Sequence, residues 1–342
     1  MYFAPNAANI RLLDPGLRRD GVILLGSEKS FKSKAIYFMK DIIKQKNYIG
    51  RFAPSPTGPL HFGSLVAAVG SYLEAKTKNG KWLLRVEDID PPREVKGATK
   101  SIISTLEQFG FEWDEHITYQ SRRYDIYQQY IDKLMHRSLA YSCGCSRKEI
   151  AEVANRSANG LIYPGTCRAG LGNKQPRSVR LLTENIDIHF NDLAQGDITQ
   201  NLETESGDYV IKRADGLYAY NLAVVIDDQL SGVTDIVRGY DLLPCTCQHI
   251  YLQRVLHFDT PRYAHLPIAI NNSGQKLSKQ NLAKEVDGHK KVLTLFNALT
   301  FLNQNPDPHL LDCDLDAVWK WALNNWDIAP IKGVKEKSAL EV

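Results

Sequence analysis

From Tyr48 onward the apolar positions follow two alternating rhythms. Short runs at Tyr48–Ala53 and Trp82–Glu87 have the length and composition of strands. His61–Lys78, Val95–Phe109 and Ser121–Arg137 read as helices, the first opening its apolar face at Leu60, Leu65 and Val66. The alternation lapses from about Ala140 to Glu205, where only short strand-like pieces such as Ser178–Leu182 occur. It resumes with Tyr209–Arg213, Tyr220–Ile226, Val233–Arg238 and Leu242–Leu256. Two amphipathic stretches with apolar residues three and four apart, Val292–Asn303 and Leu315–Asn325, close the chain. Strand and helix in alternation predict an α/β fold with a doubly wound parallel sheet. The expected parts are residues 47–139 and 206–285 as its two halves, 140–205 as an insertion between them, and 286–342 as a short helical tail.

Residues 1–46 lack this periodicity, and Leu13–Gly21 is turn-rich and basic. They are read as an extension outside the core, disordered or belonging to a start assigned too early. Met39 stands just ahead of the polar lead into the first strand. A targeting peptide fits less well, because Asp14, Asp20 and Glu28 break the acid-poor pattern such peptides need.

With 342 residues, 43% of them hydrophobic, one catalytic unit with appendages and a sizeable core is expected. The net charge of +3 makes no bulk electrostatic case for nucleic acid, although a local basic surface is compatible with it. No apolar run approaches the roughly 18 residues of a membrane span. A cytoplasmic protein without membrane contact is therefore expected, and a monomer is the expected state, although nothing in the sequence reports on it. Six cysteines, three of them clustered, agree with a reducing compartment and with metal binding.

Two distant segments carry candidate chemistry. Arg51-Phe52-Ala53-Pro54-Ser55-Pro56-Thr57-Gly58-Pro59-Leu60-His61-Phe62-Gly63-Ser64 reads as a strand end, a Pro/Gly loop and a helix start. This puts His61 and the N–H groups of Gly63 and Ser64 at a helix N-terminus, where dipoles and unpaired donors favour phosphate. Far downstream, Lys276-Leu277-Ser278-Lys279-Gln280 places two lysines three residues apart in a polar loop, suited to neutralising a reacting triphosphate. A third feature is Cys143-Gly144-Cys145 with Cys167 after Tyr163-Pro164-Gly165-Thr166. Three thiolates lack one ligand of a soft tetrahedral site, for which zinc is the default and water or a histidine the expected fourth partner. Cys245 and Cys247 lie on an apolar stretch and are read as core thiols.

The paired segments resemble the two signatures of class I aminoacyl-tRNA synthetases, the HIGH-type and KMSKS-type motifs. Arg51 to Gly58, Leu84-Arg85-Val86-Glu87-Asp88-Ile89-Asp90-Pro91, Val225-Ile226-Asp227-Asp228 and Gly232-Val233-Thr234-Asp235-Ile236-Val237-Arg238-Gly239 are similar to the glutamyl branch. The likeness covers roughly Tyr48 to Gln280 and extends to a shortened group within that branch, the glutamyl-Q tRNA(Asp) synthetases. It implies a Rossmann-like catalytic domain, a zinc-binding insertion and no anticodon-binding domain. It also implies that Arg51, Tyr220 and Arg238 hold glutamate, with Phe52, Ala53, Pro54 and Ser55 lining the site and Glu87 pairing with the ammonium. His61, Gly63, Lys276 and Lys279 would bind ATP, His61 and Lys279 acting in catalysis. Tyr163 would be the fourth zinc ligand, and magnesium would accompany ATP. Departures are Ser64 in place of a second histidine, Leu277 and Gln280 in the lysine motif, and Leu222-Ala223-Val224-Val225 where full-length enzymes usually have Leu-Ala-Asn-Val.

Only 63 residues follow Lys279, fewer than the ~100–150 of a typical domain. With so short a tail, the resemblance to the shortened group implies tRNA-independent activation of L-glutamate to glutamyl-adenylate and transfer to queuosine in the anticodon of tRNA(Asp). The alternatives are a shortened glutamyl-tRNA synthetase charging a tRNA 3′ end, or a catalytically silent tRNA-binding paralogue. Retention of Arg51, His61, Glu87, Lys276 and Lys279 speaks against silence.

Overall fold

The computed structural model describes residues 47–157, 160–271, 274–277 and 284–339. The extension expected over 1–46, with Met39, and the Ser278-Lys279-Gln280 part of the lysine motif lie outside the described residues.

Strand β1 (Ile49–Phe52) runs through the Pro/Gly loop into α1 (Phe62–Lys76), and β2 (Lys81–Val86) follows. Helix α1 starts where His61, in extended conformation, accepts the Ser64 N–H, and it buries Leu65, Val66, Ala68, Val69, Tyr72 and Leu73. Helix α2 (Ala98–Gln108) leads to β3 (Thr118–Tyr119), and α3 (Tyr124–His136) leads to β4 (Ala140–Cys143). Next come β5 (Ser178–Leu181), the hairpin strands β6 (Asp187–Asp192) and β7 (Gly196–Asn201), and β8 (Val210–Lys212). Helix α4 (Tyr220–Leu230), β9 (Asp235–Gly239), α5 (Thr246–Leu256), β10 (Arg262–Leu266) and β11 (Ile268–Ile270) complete the middle of the chain. The tail holds α6 (Lys291–Phe301), α7 (Leu315–Asn325) and β12 (Glu336–Ser338).

Strands β1, β2 and β3 pair in parallel, as do β9 and β10. The two sets meet where the Thr234 N–H donates to Ile49 O (2.9 Å) and the Ile49 N–H to Thr234 Oγ1 (2.9 Å). Both faces are covered. Alternate strand residues Trp82, Leu84, Val237, Ala264 and Leu266 face a core shared with α1, α2, α6 and α7. Their neighbours Leu83, Ile236 and Tyr263 face a second core with α3, α4 and α5. That alternation along parallel strands is the physical meaning of a doubly wound sheet. At Gly70 α1 crosses β10 so closely that a Cβ would lie 2.4 Å from Leu266 Cδ1.

The stretch 140–205 does two things. Strands β4 and β5 join β8 in an antiparallel sheet that carries the cysteines. The β6–β7 hairpin instead extends the parallel sheet, β6 pairing with β10 at Asp192 and Tyr263. The tail docks through Trp319, whose Nε1–H donates to Phe109 O (2.8 Å) and whose ring meets Phe111 edge-on. It also adds β12 in parallel to β11, a strand its polar sequence does not announce. No helix among the described residues is long and apolar enough to cross a membrane.

Candidate active site

The His61 end of the site is built by two segments more than 200 positions apart in sequence. His61 caps α1, its Nδ1 accepting the Ser64 N–H (3.3 Å) and its Nε2 lying 3.1 Å from Ser64 Oγ. With Nδ1 accepting, Nε2 carries the proton. Around it the edges of the lysine segment are pinned: Leu277 N–H donates to Ala269 O (2.7 Å), His61 bridges Glu285, and Val286 N–H donates to Leu60 O (2.9 Å). A Cβ on Gly63 would meet the His61 ring at 3.3 Å and Leu277 O at 3.8 Å, so the missing side chain keeps the gap between helix start and lysine segment narrow. Lys276 pairs with Asp241.

Behind this end lies a buried charge network. Arg51 forks onto Asp228, Nε–Oδ1 3.0 Å and Nη2–Oδ2 3.3 Å, and Arg85 Nη1 reaches the same Oδ1 at 2.7 Å. Arg85 Nη2 lies 3.4 Å from Glu87 Oε1. Burial works against the Asp228 carboxylate, but the two guanidiniums hold it below the ordinary carboxylate range. Burial pushes the Glu87 carboxyl up, against the pull of Arg85 and Arg51. Glu87 is therefore an acid that a further cation would help ionise. Asp227 next door is held by Arg123, Tyr127 and Gln120.

Arg238 completes the site differently. Its donors go to His265 Nε2 (3.1 Å), His249 Nδ1 and Tyr220 Oη (both 3.3 Å), Leu242 O (3.2 Å) and Thr246 Oγ1 (2.8 Å). All are neutral acceptors, and among the described residues no carboxylate stands within ion-pair distance of Arg238. Burial, and then the Arg238 charge, drive His249 well below its ordinary value. Burial brings His265 down to about 4, Asp192 opposing and Arg238 reinforcing. Arg238 thus adds a buried positive charge that touches no carboxylate among the described residues, which suits a substrate bringing a carboxylate of its own.

In the β4–β5 region, Cys143, Cys145 and Cys167 place their sulfurs within 4.8 Å of one another. Cys145 and Cys167 sulfurs are 3.6 Å apart, and Tyr163 Oη lies 3.3 Å from Cys143 Sγ and 3.7 Å from Cys145 Sγ. Ligands about 2.3 Å from a tetrahedral zinc stand about 3.8 Å apart, so the set fits that ion. Burial opposes ionisation of Cys143, yet hydrogen bonds from Tyr163 and Arg180 bring it down to about 7. The Arg180 guanidinium stacks 3.7 Å over the Tyr163 ring.

Of the residues singled out in the sequence, Arg51, Glu87, Tyr220 and Arg238 converge, while His61 and Gly63 stand at the start of α1 near the Leu277 carbonyl and the Lys276 side chain turns to Asp241. Ala53, Pro54 and Ser55 form the loop joining them, with the Glu87 N–H donating to Pro54 O (3.0 Å). Phe52 instead turns its ring into the core and stacks on Trp82 (6.1 Å). Cys247 is buried in the core, while Cys245 lies beside Arg238 and donates to Leu242 O (3.0 Å). Arg85 and Asp228 stand inside the matching blocks without a role that the sequence assigns, and Asp192, His249 and His265 lie outside those blocks. Arg85 had a signal, sharing a strand face with Leu83 and Glu87; the others answer to partners far away in sequence.

Residues 49–294 match the family described as tRNA synthetases class I (E and Q), catalytic domain. The chain belongs to this family, the class I synthetases of the glutamate and glutamine branch. Proteins of Aromatoleum aromaticum and Dechloromonas aromatica, both called glutamyl-Q tRNA(Asp) synthetase, are 49% and 51% identical to it. The alignments cover 83% and 82% of this chain and 90% and 94% of those proteins. A crystal structure of glutamate-tRNA synthetase from Elizabethkingia anophelis superposes with a TM-score of 0.68 at 26% identity, covering 86% of this chain and 68% of that one.

Proposed function

We propose that this protein is a ligase that activates L-glutamate with ATP, without tRNA, and transfers the glutamyl group to queuosine in the anticodon of tRNA(Asp). The observation that carries the amino-acid choice is the buried Arg238 charge beside Tyr220, with no carboxylate of its own among the described residues, facing a site where Glu87 lacks enough positive charge. Glutamate supplies both, a carboxylate for Arg238 or Arg51 and an ammonium for Glu87. Glutamine would leave one guanidinium without a countercharge. The name shared by the relatives supports the acceptor, queuosine of tRNA(Asp).

In the first step an oxygen of the substrate α-carboxylate attacks the α-phosphorus of ATP, and the bond to pyrophosphate breaks in line. His61 and the Gly63 N–H receive phosphate oxygens, the Ser64 N–H being taken by His61 Nδ1, and Lys276 and Lys279 offset the charge on the departing pyrophosphate. Magnesium arrives with ATP as part of the substrate. In the second step a queuosine hydroxyl attacks the mixed anhydride and AMP leaves. Cys143, Cys145, Cys167 and Tyr163 would hold one structural zinc, since four protein ligands leave no open position. The thiols suit the cytoplasm, where we place the reaction.

The test is to incubate the protein with ATP, labelled glutamate and tRNA(Asp) with or without queuosine. Glutamate-dependent pyrophosphate exchange without tRNA and label on the queuosine anticodon stem-loop are expected. Label on the terminal adenosine of unmodified tRNA would establish 3′-end charging instead, and equal exchange with glutamine would remove the amino-acid assignment.

A further inference from the structure

Behind Arg238 stands a second layer that none of its immediate contacts explains. His265 Nδ1 lies 2.6 Å from Asp192 Oδ2, both side chains fully buried. The Asp192 Oδ1 accepts three backbone N–H groups, from Ala194 (3.0 Å), Gln195 (2.9 Å) and His265 (3.1 Å). The carboxylate therefore cannot turn, and its remaining oxygen requires a proton on His265 Nδ1. That leaves the His265 Nε2 lone pair pointing at the Arg238 Nε–H (3.1 Å). Asn221 does the same for the other imidazole: its Oδ1 lies 3.0 Å from His249 Nε2, so His249 Nδ1 accepts. On the guanidinium itself, the Nε and Nη2 edge is held closely, by His265 and by Thr246 at 2.8 Å. The Nη1 edge is looser, at 3.3 Å from both Tyr220 Oη and His249. Tyr220 accepts there, so its own hydroxyl proton is available to a carboxylate that comes to lie against Nη1.

Resting on the reading of Arg238 as a glutamate ligand, we propose that Asp192 and His265 are positioning residues for the substrate. Asp192 fixes the His265 tautomer, and His265 anchors the far edge of Arg238 with a neutral acceptor, so the Tyr220 edge and the uncompensated charge are presented to a glutamate carboxylate. Asp192 reaches this place because the β6–β7 hairpin adds to the sheet beside β10. A carboxylate in direct contact with Arg238 would neutralise it; one imidazole away, it orients without occupying the ligand position.

The decisive variant is Asp192→Asn. Its Oδ1 would keep the three backbone donors, and its amide would then face His265 Nδ1, forcing the other tautomer and setting Nε2–H against the Arg238 Nε–H. The KM for glutamate should rise by on the order of ten- to a hundredfold, the scale of a lost hydrogen bond to a charged group, with the KM for ATP within about twofold of wild type. Nitrogen-15 NMR should show the His265 proton move from Nδ1 to Nε2. An unchanged glutamate KM in Asp192→Asn, or equal rises for glutamate and ATP, would overturn the proposal. Should Asp192→Asn fail to fold, His265→Gln against His265→Leu makes the same comparison: only the leucine should raise the glutamate KM, and equal values overturn the idea. Wild-type protein lacking glutamate-dependent exchange would instead refute the functional reading on which this rests.

Discussion

Arg51 and Asp228 form a two-point ion pair across 177 positions of sequence, Nε–Oδ1 3.0 Å and Nη2–Oδ2 3.3 Å, with both side chains no more than 4% exposed. Because Arg85 shares the same carboxylate, Asp228→Ala strips two buried guanidiniums of their countercharge at once. Unfolding in urea should show a loss of about 3–5 kcal/mol, the cost of leaving a buried charge unpaired. A loss under about 1 kcal/mol, the scale of an exposed pair, would mean that the network is hydrated.

Acid should destabilise the fold through the imidazoles around Arg238. Their pKa values are lower in the folded protein than in the unfolded chain, where a histidine titrates near ~6.5. The unfolded chain therefore binds more protons, and stability falls as pH drops from about 6.5 toward the value near 4 at which folded His265 also charges. Glu87 and Asp227, whose carboxyls burial raises, act in the opposite sense, so the comparison is made between wild type and His265→Gln. Across that window the variant should lose up to about 1.4 kcal/mol less per pH unit. Parallel stability curves would show that His265 does not titrate with folding.

The two lysines of the downstream motif should separate chemistry from stability. Lys276 and Asp241 are both partly exposed, so Lys276→Ala should leave the thermal midpoint nearly unchanged, as for a pair contributing ~0–1 kcal/mol. For Lys279→Ala, adenylate formation should slow by roughly a hundredfold or more, with glutamate binding little altered. Near-normal pyrophosphate exchange in that variant would place Lys279 outside the catalytic machinery.

Metal analysis should find one zinc per chain. Cys167→Ser should lose it and loosen the sheet of β4, β5 and β8, because ion binding and local folding are coupled. Cys245→Ser should retain it, since that sulfur lies beside Arg238 and not in the cluster. Metal-free protein of unaltered stability would remove the structural role.

Much of this molecule is legible locally. The three- and four-residue spacing in the tail places a helix at Leu315–Asn325, the span the structure has, and the loop from Arg51 to Gly63 already marks a strand end feeding a helix N-terminus. Cys143, Cys145 and Cys167 show themselves by residue type and spacing. These features are decided by backbone geometry and side-chain chemistry within a few turns of chain, which periodicity and composition report directly.

What only the tertiary structure decided is which groups answer to which. Strand β10, Arg262–Leu266, is buried from its second residue onward, so it lacks the one-faced alternation that marks a strand, and His265 disappears within it. The β6–β7 hairpin is largely polar, yet sheet pairing brings its Asp192 to 2.6 Å from that histidine. Asp228 was visible inside a matching block, but its hold on Arg51 and Arg85 depends on β1, β2 and α4 meeting at one place. Contacts between residues 70 to 180 positions apart follow from strand order and burial, and no local preference of the chain encodes them.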